Sequence, residues 1–465
     1  MVPNPSFEEP LGLPMIDAAI VNARIFLPDG SEVAGGILVD GGRIVGLVDS
    51  IDHVGPLRTV HDAKGRPVLP GLIDTHFHVG FHSAQTDFET ETRSAAIGGV
   101  TTVCRFFRNL QPYDGSLPAE IALGERAAYV DFAFHVGILL EDHLAKLDRW
   151  VNEFGVRSFK MYTCYKGDEG RAIGIRGESD GFILDTLRAL ARTGDVVQIV
   201  HCENEEIIDR QLAQPRSQPV TNGDLNAWSA ARPPLAEVEA INRVGYLAAQ
   251  AGAEFLVPHV SSADALAAIR HLKSAGQAIY AETCPHYLAL DTTAAAGVLA
   301  KVNPPIRPPG HADDLWQGMR DGTVDVIGSD HATTMRAQKI PGDPWKSAPG
   351  FAGVATILPA LHDAGVRTGK ISLGDIARIQ ARAAQIMRLR QKGRIQIGSD
   401  ADLVILDPDL KRVVKATDLG SASDFSVFEN ATLQGWPVMT FLRGELIVRD
   451  GQVLGRPGDG RYLSR

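Results

Sequence analysis

Cysteine is scarce in this chain. Cys104, Cys164, Cys202 and Cys284 are the only four in 465 residues. They lie far apart with no CxxC pair, so a reduced, intracellular compartment is the simpler reading. Free thiols in a reducing, cytoplasmic setting are the expectation. Basic runs are also missing, and the net charge is −10. That balance speaks against nucleic acid or an anionic membrane as partner. No apolar stretch reaches the length needed to cross a bilayer. The opening MVPNPSFEEPLGLPMIDAAI lacks a basic start followed by an apolar core, so it does not read as a signal peptide. Residues 1–14 read as an N-terminal tail.

What is present suits a large hydrophobic core: 44% of residues are hydrophobic and 22% charged. The two ends read alike. AIVNARIFLPDGSEVAGGILVDGGRIVGLVD alternates and breaks at PDG and DGG, which are hairpin signals. GSDADLVILD and TFLRGELIVRDGQVLG repeat that rhythm near the C-terminus. Residues 15–68 and 394–455 are therefore expected to form one small β-sandwich domain. Residues 456–465 read as a C-terminal tail.

Residues 69–393 have a different rhythm. Apolar runs occur at PVLPGLIDTHFH, GVTTVCRF, FAFHVGIL, VRSFKMYT, DVVQIVHCE, EFLVPHVSS, AIYAETCPH and VDVIGSDHA. Helical segments such as FILDTLRALART separate them. Eight strands alternating with helices predict an α/β fold, a (β/α)8 barrel of the TIM type. His76, His78, Lys160, His201, His259, Glu282 and Asp330 each fall at or just after the C-terminal end of a run. In such a barrel those ends converge on one face.

His76 and His78 stand two apart on a strand, so both side chains point the same way and can share one metal. With His201, His259 and Asp330 they make a donor set for zinc or a similar cation, large enough for two. Two cations need a bridging anion, and the fourth strand end offers Lys160. A neutral lysine amine adds carbon dioxide to become a carbamate. A lysine reaching to the barrel mouth, or paired with Asp330, is an equal alternative on these residues alone.

Together PGLIDTHFH, SFKMYTCY, VHCEN, PHVSS, ETCPHYL, NPPIR, GSDHA and GRIQIGSDADLVILDP resemble the cyclic amidohydrolases. That is the dihydropyrimidinase, hydantoinase, allantoinase and dihydroorotase group, and the resemblance runs from about residue 18 to residue 452. It implies a metal-dependent barrel with a sandwich from both termini. It implies two divalent ions, commonly zinc, with His76 and His78 on the first and His201 and His259 on the second. Lys160 matches the carboxylated lysine (N6-carboxylysine) that bridges them, and Asp330 the metal-binding general base. The implied reaction opens a cyclic amide, ureide or imide with a metal-activated hydroxide, a hydrolase reaction on C–N bonds. Tyr165 matches the tyrosine that hydrogen-bonds the oxyanion in hydantoinases and dihydropyrimidinases; a pocket-wall tyrosine is the plainer alternative. Cys284 and His286 match pocket-lining positions, and His331 a substrate contact or a support. Family members are often homo-oligomers, tetramers or dimers.

Some motifs depart from the pattern. Val79 and Gly80 stand where dihydroorotases carry leucine and an arginine that grips a carboxylate. In place of MPN after the second strand the chain has VCRFFRNL. Arg105 or Arg108 can meet an anionic substituent there, or form a salt bridge at the rim. SAPGFAG (347–353), with Gly350, and Asn303 in KVNPPIR lean towards allantoinases and dihydroorotases. DEGRAIGIR and GESDG read as an enlarged loop after the fourth strand. Glu282 is a candidate to steady a ligand histidine, while His82, His135 and His143 read as loop or rim residues. An allantoinase- or dihydroorotase-like hydrolase, a mononuclear deaminase-like enzyme and a dihydropyrimidinase-like scaffold without activity are the competing readings. The last requires lost ligands, and none of the six is lost.

Overall fold

A computed structural model describes residues 15–167, 170–171, 174–213, 225–340 and 343–465. The proposed N-terminal tail, and parts of the loop after the fourth barrel strand, lie outside them. β1 (Ile16–Phe26), β2 (Glu32–Asp40), β3 (Arg43–Val48), β4 (Leu57–Asp62) and β5 (Pro67–Pro70) come from the N-terminal part. β5 pairs parallel to β1 and antiparallel to a strand from near the C-terminus, and so joins the two ends of the chain.

The barrel strands are β6 (Leu72–Phe77), β7 (Val100–Phe107), β8 (Asp131–Gly137), β9 (Ser158–Tyr162), β10 (Val197–His201), β11 (Phe255–Val257), β12 (Ile279–Thr283) and β13 (Val326–Ile327). All eight expected strands are present, each parallel to its neighbour in chain order. The barrel closes where the first strand meets the chain after the last. There the His78 amide donates to the His331 carbonyl (2.9 Å) and the His331 amide to the His76 carbonyl (3.3 Å).

β14 (Leu403–Val413), β15 (Thr432–Leu442), β16 (Glu445–Arg449) and β17 (Gln452–Val453) complete a nine-stranded sheet with β1–β5. Its core draws Ile20, Ile25 and Val68 from the first part and Leu403, Ile405 and Phe441 from the last. Buried Lys392 ties sheet to barrel. Its ammonium meets Asp131 at 2.5 Å, Asp402 at 2.7 Å and Asp400 at 2.9 Å.

Residues 456–465 differ from a free tail. β8 begins below the start of β9, which leaves the backbone of Phe132 without a strand partner on that side. The Arg461 carbonyl accepts from its amide (3.0 Å), and the Leu463 amide donates to its carbonyl (2.8 Å). An unpaired buried backbone group is costly, so the chain end is held in place.

Barrel helices start and stop on local signals. Ser179 caps Asp180–Thr193 by accepting from the Phe182 amide. Ser372 and Asp375 form a capping box on Leu373–Ile386. Pro234–Ala251 begins on proline and ends at Gly252 in the left-handed conformation. Along β9 the side chains alternate as a strand requires. Phe159 and Met161 join the outer layer of core, under the helices. Lys160 therefore points into the barrel.

Candidate active site

His76, His78, Lys160, His201, His259 and Asp330 come from five strand ends and line one cavity of about 220 Å³. Tyr165, Asn303, Arg108 and Gly350 line it too. The ligand atoms of His76, His78 and Asp330 lie within 4.8 Å of one another. Asp330 Oδ1 is 3.1 Å from His76 Nε2 and 3.3 Å from His78 Nε2.

Each of these groups is steered from behind. Glu282 accepts from His76 Nδ1 (2.7 Å), the Thr75 hydroxyl (2.5 Å) and the His259 amide (3.2 Å). His76 thus keeps Nε2 turned to the cavity. Glu203 holds His201 Nε2 at 2.8 Å and is itself gripped by Arg232, at 3.0 and 2.6 Å. That leaves His201 Nδ1 for the cavity. Gly328 is bare because a Cβ would stand 2.6 Å from that of His76 and 2.8 Å from the Glu282 carboxyl. Tyr165, His259 and Asp330 have φ of 70°, 41° and 50°. Residues other than glycine seldom adopt that region, aspartate and histidine more readily than tyrosine, and it is concentrated at functional sites.

The electrostatics favour neutral imidazoles. Burial holds His78 down at about 3, and His201 and His259 below the ordinary histidine value. His76 is the exception. Against its burial, Asp330 and Glu282 push it up to about 9. Asp330, also buried, is held well below the usual carboxylate range by His76 and His78. Burial lowers Lys160 from 10.5 to about 8. Its amine has no hydrogen-bond partner, nor does His259 Nδ1. An apolar ring, Phe106, lies 4.8 Å from that amine. Three neutral histidines, a carboxylate and an orphaned amine in one cavity fit a divalent metal centre.

Several sequence-derived contacts fall elsewhere. Cys284 is fully buried and caps the helix Pro285–Ala289, so it is absent from the cavity wall. His286 is buried against Tyr287 and Phe351, also off that wall. His331 is buried too. Its Nε2 pairs with Glu91 (2.9 Å) and its Nδ1 accepts from the Gly353 and Val354 amides, so it supports the barrel seam and not a substrate. Arg105 is buried against the Phe88, Phe107 and Phe134 rings and paired with Glu120 (2.5 Å). His135 and His143 are not rim residues. His135 bonds Ser158 and the Thr75 carbonyl inside the barrel, and His143 is buried beside Tyr113 and Trp150. Asn303 does reach the site, its amide nitrogen 3.4 Å from the Tyr165 hydroxyl.

The Glu203–Arg232 pair and Tyr162, another cavity residue, are additions that the sequence motifs do not single out. Glu203, two residues after His201, carries a signal. Arg232 carries none, because it follows the helix Leu225–Ala231, outside any strand motif.

Among the described residues no helix is long and apolar enough to cross a membrane. A scan against family models returns no match. An L-hydantoinase from Paenarthrobacter aurescens is 33% identical over 97% of this chain and 98% of its own length. A D-hydantoinase from Geobacillus stearothermophilus is also 33% identical, over 92% of each chain. Among solved structures, the L-hydantoinase (dihydropyrimidinase) from Arthrobacter aurescens superposes with a TM-score of 0.89 at 30% identity, covering 97% of this chain and all of that one. The dihydropyrimidinase from Brevibacillus agri gives 0.87 at 30% identity, covering 96% and 98%. Barrel, companion sheet and relatives agree: the chain belongs to the cyclic amidohydrolases, in the group of hydantoinases and dihydropyrimidinases.

Proposed function

We propose that this protein is a metal-dependent hydrolase that opens the amide bond of a small cyclic amide, ureide or imide of the hydantoin or dihydropyrimidine kind. The observation that carries the reading is Lys160, a buried amine without a partner amid four histidines and Asp330. His76, His78 and Asp330 would hold one divalent ion, and His201 and His259 a second. Lys160, carboxylated by carbon dioxide, would serve both. Zinc suits this mixture of imidazole and carboxylate donors. When bound, the pair supplies a water acidic enough to attack near neutral pH and polarises the scissile carbonyl.

The chain's own residues do the rest. Asp330, ionised at any working pH, accepts the proton of the attacking water and delivers it to the leaving nitrogen. Tyr165 donates its hydroxyl to the oxygen that gains charge as the carbonyl becomes tetrahedral. Glu282 and Glu203 keep His76 and His201 turned inward. Phe81, Tyr162, Ile175, Val302 and Pro349 form much of the rest of the cavity wall. A cytoplasmic location and a homo-oligomer, tetramer or dimer, belong to the same proposal.

The test is metal analysis joined to a turnover panel of hydantoin, dihydrouracil, allantoin, dihydroorotate and simple cyclic imides. About two zinc ions per chain and ring opening of one of these are expected. A zinc-loaded protein that opens none of them contradicts the reading.

A further inference from the structure

Among the described residues Arg108 is the one guanidinium on the cavity wall. It also lines a neighbouring cavity of about 660 Å³ and so stands between that vestibule and the site. Among the described residues no carboxylate lies within ion-pair distance of it, although the structure pairs most of its buried arginines. Arg105, three residues earlier, has Glu120, and Arg232 has Glu203. The neighbours of Arg108 are Tyr162, His78 and Phe81, none of them an anion. Its Nη1 is 3.5 Å from His78 Nδ1, at the outer limit of a hydrogen bond. Its guanidinium lies 5.5 Å from the Phe81 ring, and its Nε is buried without a partner.

Among the described residues Asp330 is the one carboxylate side chain on the cavity wall, and it is already engaged by His76 and His78; the carbamate proposed at Lys160 would be committed to the metal ions. In the vestibule the carboxylate of Glu120 is taken by Arg105.

We propose that Arg108 is a specificity-determining residue that pairs with a carboxylate on the substrate. The preferred substrates are then cyclic ureides bearing an acid group on the ring or on a short arm. Arg108 lies beside His78, whose other ring nitrogen meets Asp330, so an acid on a short arm is the form that suits the site. A fork-shaped cation is suited to a carboxylate held in two parallel hydrogen bonds. This inference rests on the ring-opening reading and names its substrate class.

The experiment compares 5-(carboxymethyl)hydantoin with its neutral carboxamide, the two differing in charge and hardly in shape. Unsubstituted hydantoin and dihydrouracil are run beside them on the zinc-loaded protein. A charged hydrogen-bonded pair predicts kcat/KM for the acid ~10–100-fold above that for the amide. Arg108→Met should bring that ratio towards one, with the loss carried by KM of the acid. Arg108→Lys should keep part of it, and Arg108→Gln serves if the Met variant does not fold. A wild-type ratio at or below one, with the parent rings still opened, overturns the role of Arg108 and leaves the ring hydrolase standing. An unchanged ratio in the neutral variants also overturns it. If none of the four compounds is opened, the acid-bearing ureide class is overturned, and the wider panel above decides the ring-opening reading separately.

Discussion

Replacing Lys160 with methionine should make the metal-free protein more stable while destroying its metal centre. Lys160 is 2% exposed, its ammonium has no partner, and its pKa falls from 10.5 to about 8. A folded-state value below the unfolded one means that the folded chain gives up its proton more readily. The shift therefore costs stability. The cost is present in full below about pH 8 and fades as the pH rises towards 10.5. At 1.36 kcal/mol for each pH unit, the penalty at pH 7 is about 3 kcal/mol, falling to roughly half by pH 9.5. Methionine has a similar length and carries no such penalty. Calorimetry on metal-stripped wild type and Lys160→Met at the two pH values measures the difference. The variant should melt ~3–6 °C higher at pH 7, with a smaller gap at pH 9.5. The same variant should hold fewer than two zinc ions per chain and lose its turnover. A variant less stable than wild type at pH 7, or a gap that does not narrow with pH, would refute the burial penalty. Lysine at this position would then be a stabilising structural residue, and its role as a reactive amine would lose its physical basis.

Lys392→Met should act in the opposite sense, because that buried ammonium neutralises Asp131, Asp400 and Asp402. A loss of about 3–5 kcal/mol in unfolding free energy is expected, read from denaturant melts of the two proteins. Tyr165→Phe should lower kcat by ~10²–10³-fold with zinc content unchanged; equal turnover would remove its hydroxyl from the reaction. Glu282→Gln should weaken zinc binding ~10–100-fold in a chelator competition, since His76 would lose the carboxylate that orients it. Unaltered retention of zinc would show that His76 needs no such support.

The eight strands and their polar ends are legible because period and position are local properties. A histidine that closes an apolar run in a barrel ends near the others wherever it lies in the chain. Residues beyond a strand end are harder to read. Cys284 and His286 come one and three residues after β12, yet the chain has already turned into a helix and carried both into the core. His331 sits beside Asp330 but faces Glu91 on the helix Asp87–Ile97, on the other side of the seam. Arg232 and Glu203 meet across 29 positions, from a helix end and a strand end. The C-terminal residues carry no strand-like pattern, and their place is set by unpaired backbone on β8. In each case the deciding partner is remote in sequence, and a pattern within one segment carries no trace of it.

The barrel seam has a consequence for how the protein comes to exist. His76 and His78 leave the ribosome early, on the first barrel strand, whereas His331 and Asp330 emerge after the last. Yet the backbone bonds that close the barrel run between the first pair and His331. Closing the sheet and completing the ligand set are thus one event. On the ligand set proposed above, a nascent chain would carry His76 and His78 long before Asp330 is made. Domains fold as units during synthesis, the N-terminal part first. With the metal ligands proposed above, the first site would be complete only when the barrel is closed, and a loaded centre would then mark a fully folded barrel.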